Sequence, residues 1–162
     1  MTKAVFAGSF DPFTNGHLDM VKKASKIFDE LVVIIAKNPN KKRFTDVEKM
    51  KTAIEKCLKK HKLDNCKVEI CEGLLGKYCI QNNVGYNVRG LRSNGDYEYE
   101  EMLARGNAEL DPFLETIYLR TTNPTISSTL VKEFFSYGEN ISHYVPEESL
   151  DVMRETLRKT LQ

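Results

Sequence analysis

The amino-acid sequence predicts an α/β protein with a Rossmann-like, parallel, five-stranded sheet flanked by helices. Short apolar runs, mostly rich in Val, Ile or aromatic residues, alternate along the chain with segments of helical period. That alternation is typical of repeated strand–helix–strand units whose sheet is covered on both faces. The length of 162 residues fits one domain, and no repeat or linker divides it, so residues 1–162 are expected to form a single domain.

The predicted elements follow from length and periodicity. The strand candidates are Ala4–Ala7, Leu31–Ala36, Lys67–Cys71, Tyr86–Val88 and Thr116–Leu119. The helix candidates are His17–Phe28, Asp46–His61, Leu75–Asn82, Asp96–Glu109, Ser127–Tyr137 and Glu147–Leu161. In such sheets ligands bind beyond the carboxyl ends of the strands, where the strand order reverses. Residues that follow strands are therefore the candidates for a functional site.

Composition excludes several classes of function. The 24 Lys and Arg nearly balance the 23 Asp and Glu, for a net charge of +1, so no global field favours nucleic acid or an anionic membrane. The early apolar run Ala4–Ala7 is too short for a signal-peptide core, and no apolar stretch approaches the roughly 18 residues that span a bilayer. The four cysteines form no Cys-x-x-Cys pair. We expect a cytoplasmic protein with free thiols, no membrane or nucleic-acid partner and no dedicated metal site.

The segment after the first predicted strand, Gly8–His17, leads directly into a helix. A helix N-terminus attracts phosphate through its free N–H groups and its dipole. Gly16 allows a ligand to approach the backbone closely, and His17 can donate a ring N–H to a phosphoryl oxygen. A simple helix cap built from Thr14 and Asn15 fits the same residues. Spacing alone leaves both interpretations open.

Two cationic segments follow later strands. The loop Lys37–Arg43 could hold a phosphate or could be solvated surface. Arg89 and Arg92 flank Gly90 and Leu91 beyond the fourth strand, where guanidinium groups can bind phosphate in bidentate fashion. They could equally cap helix carbonyls or pair with nearby carboxylates such as Asp96 and Glu98.

Two further segments are ambiguous when taken alone. The acidic run Asp96–Glu100 is typical of a solvated helical face. The hydroxyls of Ser127, Ser128 and Thr129 lie at a helix start, where they can cap the helix or bind the β and γ phosphates of a nucleotide.

Together these motifs resemble one family. Thr14-Asn15-Gly16-His17 resembles the (His/Thr)-x-Gly-His signature of the nucleotidyltransferase superfamily, and the longer run Gly8–His17 resembles the phosphopantetheine adenylyltransferases. Arg89–Arg92, Asp96–Glu100 and the superfamily's second signature, Ile126–Thr129, follow in the family's order. The resemblance extends from Gly8 into the helix after Pro146.

The resemblance implies roles for individual residues. His17 would stabilise the transition state at the α-phosphate of ATP, while Lys41 and Arg89 would bind the phosphate of 4′-phosphopantetheine. Lys42 is the alternative to Lys41, because this loop is one residue shorter than usual. Ser9, where many relatives have Thr, would bridge the two substrates, and Leu75 would contact the pantetheine arm. The ATP-binding set would be Ser9, Phe10, His17, Gly90, Leu91, Arg92, Glu100, Asn123, Pro124, Thr125, Ile126, Ser127, Ser128 and Thr129.

The resemblance also implies an activity, a cofactor and an assembly. The adenylyl group of ATP would pass to 4′-phosphopantetheine by direct attack at the α-phosphorus, giving dephospho-coenzyme A and pyrophosphate. Mg²⁺ would arrive with ATP, since the sequence shows no carboxylate cage. Dephospho-coenzyme A or coenzyme A would bind as product or inhibitor, and the protein would be a homohexamer. Asn123-Pro124-Thr125 stands where many members carry an aromatic residue, which leaves the adenine contacts undefined.

Three alternatives remain at this stage. A nicotinate mononucleotide adenylyltransferase and a glycerol-3-phosphate cytidylyltransferase share the first signature and the final hydroxyl cluster, but Arg89–Arg92 and Asp96–Glu100 disfavour both. A non-catalytic nucleotide-binding module that has kept the fold is the third alternative. The presence of His17, Lys41 and Arg89 disfavours it.

Overall fold

Five parallel strands form one sheet at the centre of the computed structural model, which describes residues 1–121 and 127–161. The strands are β1 (Lys3–Gly8), β2 (Glu30–Ala36), β3 (Cys66–Cys71), β4 (Tyr86–Leu91) and β5 (Glu115–Arg120). Their order across the sheet is β3-β2-β1-β4-β5, and every neighbouring pair is parallel. The order therefore reverses between β1 and β4, which places the expected ligand crevice there.

Six helices in the described part of the chain flank the sheet. They are α1 (Asn15–Ile27), α2 (Val47–Lys60), α3 (Leu75–Gln81), α4 (Asn94–Leu110), α5 (Ser128–Ser136) and α6 (Glu147–Thr160). The predicted single α/β domain is confirmed, and all the predicted elements are present with no end shifted by more than three residues. No helix in the described part of the chain is long and apolar enough to cross a membrane.

The largest shift concerns the end of β4. Arg89 and Gly90 were expected beyond the strand, but they lie within it, because Arg89, Gly90 and Leu91 continue the ladder opposite Tyr118, Leu119 and Arg120 of β5. This pairing fixes the backbone of Arg89. The charged side chain of Arg89 is therefore attached to a backbone that the sheet holds in place.

Alternation along the strands divides the core into two layers. In β1, Ala4 and Phe6 pack with the apolar sides of α1 and α2, while Val5 and Ala7 belong to a smaller layer that includes Cys79 of α3. A third cluster joins α5 to α6 through Val131, Ile141, Val145, Leu150 and Met153. Helix α5 is thus held against the C-terminal segment, with its N-terminus near the reversal point of the sheet.

Candidate active site

A cavity of about 370 Å³ opens at the carboxyl edge of the sheet, where β1 and β4 lie side by side. Helix α1 begins at this edge after β1, and α5 begins there after β5. The lining residues are Phe6, Ala7, Gly8, Ser9, Phe10, Thr14, Gly16, His17, Asp19, Met20, Lys23, Arg89, Gly90, Arg92, Glu100, Thr121, Ser127 and Ser128. The cavity therefore combines two helix N-termini with two arginines and one histidine.

Hydrogen bonds at the start of α1 fix the imidazole of His17. Thr14 is the N-cap, and its hydroxyl oxygen accepts the His17 backbone N–H at 3.3 Å. The Thr14 backbone N–H in turn donates to Nδ1 of His17 at 3.0 Å. Because a backbone N–H can only donate, Nδ1 must carry the lone pair, and the proton of the neutral ring lies on Nε2. His17 is therefore both a capping residue and a hydrogen-bond donor at the cavity wall.

Three aromatic rings surround this imidazole. The rings of Phe10 and Phe6 meet it edge-on at centroid distances of 4.9 Å and 6.3 Å, and Phe13 stacks on it at 5.6 Å. Burial among these rings, with the positive charges of Arg89 and Arg92 nearby, lowers the pKa of His17 to about 4. The ring is therefore neutral near pH 7. The two interpretations of this segment, a helix cap and a phosphate-binding site, are thus compatible, because His17 uses Nδ1 for the cap and keeps Nε2–H as a donor.

The backbone of the loop after β1 is shaped to place Phe10. Phe10 has a φ of +44°, in the left-handed region that L-residues other than Asn, Asp and His seldom adopt. Its ring lies over Gly8, where an added Cβ would come within 3.1 Å of the ring atom Cε1. A glycine at this position therefore permits the close approach that puts Phe10 against His17.

Arg89 is anchored on both sides. Its Nε and Nη2 atoms donate to the two carboxylate oxygens of Glu100 at 2.7 Å and 2.9 Å, and Nη1 donates to the Ala7 carbonyl at 2.7 Å. Glu100 is the buried residue of α4, and this pairing compensates its charge. The guanidinium is therefore held rigidly in the cavity wall. Glu100, expected as an ATP contact, lies in the wall as well, with both oxygens bound to Arg89.

Arg92 and Gly90 lie further along the same wall. Arg92 is more exposed than Arg89, and its Nε donates to Asp96 at 3.1 Å; that bond, despite partial desolvation, lowers the pKa of Asp96. The pairing with a nearby carboxylate is thus realised for Arg92, which still faces the cavity. A Cβ on Gly90 would come within 3.1 Å of Thr121 Cγ2 and 3.3 Å of Met20 Sδ. A glycine at this position therefore allows Thr121 and Met20 to lie close to the β4 backbone.

The N-terminus of α5 supplies hydroxyl groups. Ser127 is the N-cap, and its hydroxyl accepts the Leu130 backbone N–H at 3.2 Å. The hydroxyl of Ser128 donates to the Pro12 carbonyl at 2.9 Å, which ties α5 to the loop after β1. Both serines line the cavity. The N–H groups of a first helical turn have no acceptor within the helix, so at this end they can donate to a bound anion.

The structure does not bring every predicted residue to the cavity wall. Lys41 is exposed in the loop after β2, and Leu75 begins α3, so neither lines the cavity, nor do Leu91 and Thr129. Asn123, Pro124, Thr125 and Ile126 lie outside the described residues. The loop after β2 contacts the site through Arg43 instead, which donates to the Ser9 and Phe10 carbonyls.

Sequence reasoning missed other lining residues. Met20 and Lys23 follow His17 at three-residue intervals along α1, so helical spacing could have placed them on the same face. Lys23 donates from Nζ to the Arg120 carbonyl, at the end of β5. Thr121 is brought to the cavity by the ladder between β4 and β5, a pairing that no local pattern predicts.

Comparison with known proteins identifies the family. Residues 5–134 match the cytidylyltransferase-like family. Phosphopantetheine adenylyltransferase of Thermotoga neapolitana is 39% identical over 158 residues, which cover 96% of this chain and 97% of the relative. The enzyme of that name from Carboxydothermus hydrogenoformans is 41% identical over 161 residues, 98% of each chain. The chain belongs to the phosphopantetheine adenylyltransferases. The family resemblance read from the motifs is confirmed.

Solved structures agree with the fold at lower identity. The bifunctional NMN adenylyltransferase/ADP ribose pyrophosphatase of Francisella tularensis superposes with a TM-score of 0.69 at 15% identity, covering 99% of this chain and 54% of that one. At that identity the similarity concerns the fold alone. The phosphopantetheine adenylyltransferase fold is therefore shared with adenylyltransferases of other specificity, and specificity depends on side chains in the site.

Proposed function

We propose that this chain transfers the adenylyl group of ATP to 4′-phosphopantetheine, giving dephospho-coenzyme A and pyrophosphate in coenzyme A biosynthesis. The name of the relatives at 39% and 41% identity supports the reaction. The observation that carries the mechanism is the neutral His17, whose Nδ1 accepts the Thr14 N–H and whose Nε2–H donates to none of the residues that the structure describes, so that it can bind an α-phosphate oxygen.

The proposed step is a direct in-line displacement. A phosphate oxygen of 4′-phosphopantetheine attacks the α-phosphorus, the new P–O bond forms, and the bond to the β-phosphate oxygen breaks with release of pyrophosphate. The nucleophile is already an anion, so the enzyme needs positioning and charge stabilisation more than a general base. His17 supplies a fixed donor toward the non-bridging oxygens, where its hydrogen bond strengthens as the transition state forms.

The acceptor phosphate would be held by Arg89, Ser9 and Lys41. Arg89 has three of its N–H groups committed to Glu100 and Ala7, which leaves its outer N–H groups in a fixed direction for the phosphate. Ser9 is exposed in the loop after β1. Lys41, or its neighbour Lys42, would reach the same phosphate from the loop after β2, and Leu75 would contact the pantetheine arm.

The leaving pyrophosphate would lie between Arg92 and the N-terminus of α5, with Ser127, Ser128 and Thr129 as ligands. Gly90, Leu91, Phe10 and residues 123–126 would complete the ATP site, and Glu100 would border it while supporting Arg89. Mg²⁺ would enter with ATP and neutralise charge on the departing phosphates. Within the described residues no group of three or more His, Cys, Asp or Glu side chains could hold a metal ion.

The proposed assembly is a homohexamer in the cytoplasm, which would bind dephospho-coenzyme A or coenzyme A as product or inhibitor. Helix α4 supports an oligomer, because it buries Glu100 while Tyr97, Tyr99, Met102 and Leu103 remain exposed. The four cysteines are free thiols, as suits a reducing compartment. Light scattering coupled to size-exclusion chromatography measures the number of subunits.

One experiment tests the reaction and the acceptor together. The protein is incubated with Mg²⁺ and each of three pairs: ATP with 4′-phosphopantetheine, ATP with nicotinate mononucleotide, and CTP with glycerol-3-phosphate. Mass spectrometry is expected to detect dephospho-coenzyme A and pyrophosphate in the first mixture and no nucleotide product in the others. Product in the second or third mixture but not in the first would refute the proposed acceptor. Absence of product from all three mixtures would indicate a non-catalytic nucleotide-binding module.

A further inference from the structure

Arg43 and Asp11 join two loops that approach the candidate site from different strands. The first loop comprises residues 9–14, which follow β1, and the lysine loop comprises residues 37–46, which follow β2. The first loop carries Ser9 and leads to His17, and the lysine loop carries Lys41. The two loops therefore present the groups that would hold the acceptor phosphate.

Arg43 acts on the first loop through backbone carbonyls. Its Nη1 donates to the Ser9 carbonyl and its Nη2 to the Phe10 carbonyl at 3.3 Å, while Nε donates to the Thr45 carbonyl at 3.2 Å within its own loop. Only 13% of its side chain is exposed. A planar guanidinium can satisfy three carbonyls at fixed angles, which a lysine ammonium cannot do with the same geometry.

Asp11 provides a second set of hydrogen bonds between the two loops. Its carboxylate accepts the backbone N–H groups of Phe44 and Thr45 at 2.8 Å and 2.9 Å and the Thr45 hydroxyl at 2.6 Å. Burial alone would raise the pKa of Asp11, but these hydrogen bonds and the charge of Arg43, 3.9 Å away, outweigh it and lower the pKa. Both sets of hydrogen bonds therefore run from donors of the lysine loop to acceptors of the first loop.

The same carboxylate reaches the ATP side of the site. Lys132 of α5 lies 3.8 Å from Asp11, and Ser128 donates to the Pro12 carbonyl. Asp11 therefore touches the segments expected to hold both substrates. Arg43 differs from it, because within the described residues its hydrogen bonds join only the first loop and the lysine loop.

We propose that Arg43 is a positioning residue for the acceptor phosphate, fixing the backbone of Ser9 and Phe10 relative to Lys41. This inference rests on the proposed function. Lys41 lies two residues from Arg43, a reach of about 7 Å at most along the chain, so the anchor of Arg43 limits where the Lys41 ammonium can lie. Loss of the anchor leaves the ATP contacts of α1, β4 and α5 in place. The acceptor side, which depends on Ser9 and Lys41, therefore loosens more than the ATP side, where Phe10 is the residue that Arg43 also fixes.

The test compares Arg43→Met and Arg43→Lys with the wild-type protein, and uses Arg154→Met as a matched control. Arg154 is exposed on α6, and its loss removes one guanidinium charge away from the site. Initial rates are measured with each substrate varied in turn, and amide hydrogen exchange is measured at Phe44 and Thr45. Thermal unfolding identifies any variant that fails to fold.

Arg43→Met is expected to raise the KM for 4′-phosphopantetheine about tenfold or more and to lower kcat, since small misplacements of reacting groups are costly. The KM for ATP should change by less than about threefold. A general loss of structure would raise both KM values, so a selective rise for 4′-phosphopantetheine indicates a local effect. Arg43→Lys should recover only part of the loss, and it replaces Arg43→Met if the latter does not fold. Exchange at Phe44 and Thr45 should accelerate in both variants.

Equal effects on both substrates, or wild-type kinetics in Arg43→Met, would overturn the inference. Failure of the proposed function has a different signature: the wild-type protein would form no dephospho-coenzyme A. In that case the exchange rates decide whether Arg43 couples the loops, because unchanged protection at Phe44 and Thr45 contradicts any positioning by Arg43.

Discussion

At the scale of single residues, the chemistry of the site depends on which nitrogen of His17 bears the proton. The Thr14 backbone N–H occupies Nδ1, and the surrounding aromatic rings oppose a charge on the imidazole. Both effects keep the ring neutral with Nε2–H available as a donor. A neutral donor can stabilise charge developing on the α-phosphate without forming an ion pair with ATP in the ground state, which favours turnover over binding.

Two substitutions of His17 separate the donor from the helix cap. Gln can place its amide nitrogen at the position of Nε2, whereas Asn reaches only the position of Nδ1, where its amide oxygen can accept the Thr14 N–H. We expect His17→Asn to lower kcat by about 100- to 1,000-fold, the usual loss for one transition-state donor, and His17→Gln to lose less. The Kd for ATP, measured by calorimetry, should stay within about threefold of the wild-type value. Equal losses in ATP binding and turnover would contradict this role.

The lowered pKa of His17 also predicts a pH dependence of stability. The unfolded chain binds a proton near the ordinary pKa of 6.5, but the folded protein resists protonation until about pH 4. The free energy of unfolding is therefore at its full value, as far as His17 is concerned, above pH 6.5. It decreases as the pH falls toward 4, because the unfolded chain takes up a proton that the folded protein does not. Urea unfolding should show the wild-type protein losing about 1–2 kcal/mol more than His17→Asn between pH 7 and pH 5. Parallel pH profiles would show that His17 titrates normally.

At the scale of elements, the pairing of β4 with α4 decides what Glu100 does. Glu100 occupies one face of α4 and meets Arg89 of β4 through both carboxylate oxygens. The family resemblance implies an ATP contact at this position, whereas the geometry makes Glu100 the support of a phosphate-binding arginine. These two roles differ in which substrate is affected when the carboxylate is lost.

Glu100→Gln tests this difference. The amide keeps one acceptor oxygen but turns an NH₂ group toward the guanidinium, so Arg89 loses its bidentate partner. We expect the KM for 4′-phosphopantetheine to rise about tenfold while the KM for ATP changes little. Glu98→Gln is the matched control, since Glu98 is exposed on the same helix. A selective loss of ATP affinity in Glu100→Gln would instead support a direct contact with the nucleotide.

The same elements show what a sequence can predict. Strand–helix alternation located every element, because the apolar periods of Leu31–Ala36 and of α1 are local properties of the chain. The end of β4 was placed too early, since Gly90 between two arginines resembles a turn and only pairing with β5 reveals the strand. The roles of Arg43 and Glu100 depend on contacts with residues far along the chain or on another element, which residue spacing does not encode.

At the scale of the whole molecule, separate parts of the chain meet at the reversal point of the sheet. The Asn15 backbone N–H at the start of α1 donates to the Tyr144 carbonyl at 2.9 Å, and Ser128 of α5 bonds to the Pro12 carbonyl. The cluster between α5 and α6 holds these segments together. His17, Arg89 and the N-terminus of α5 are thus presented by one rigid framework, as direct displacement between two bound substrates requires.

The stereochemical course of the transfer tests this account most directly. One diastereomer of ATPαS, with sulfur on the α-phosphorus, is supplied with 4′-phosphopantetheine, and the configuration at that phosphorus is determined in the thio-substituted dephospho-coenzyme A. A single in-line displacement predicts inversion of configuration. Retention would show two successive displacements through a covalent adenylyl-enzyme, and would contradict direct attack in a site organised around a neutral His17.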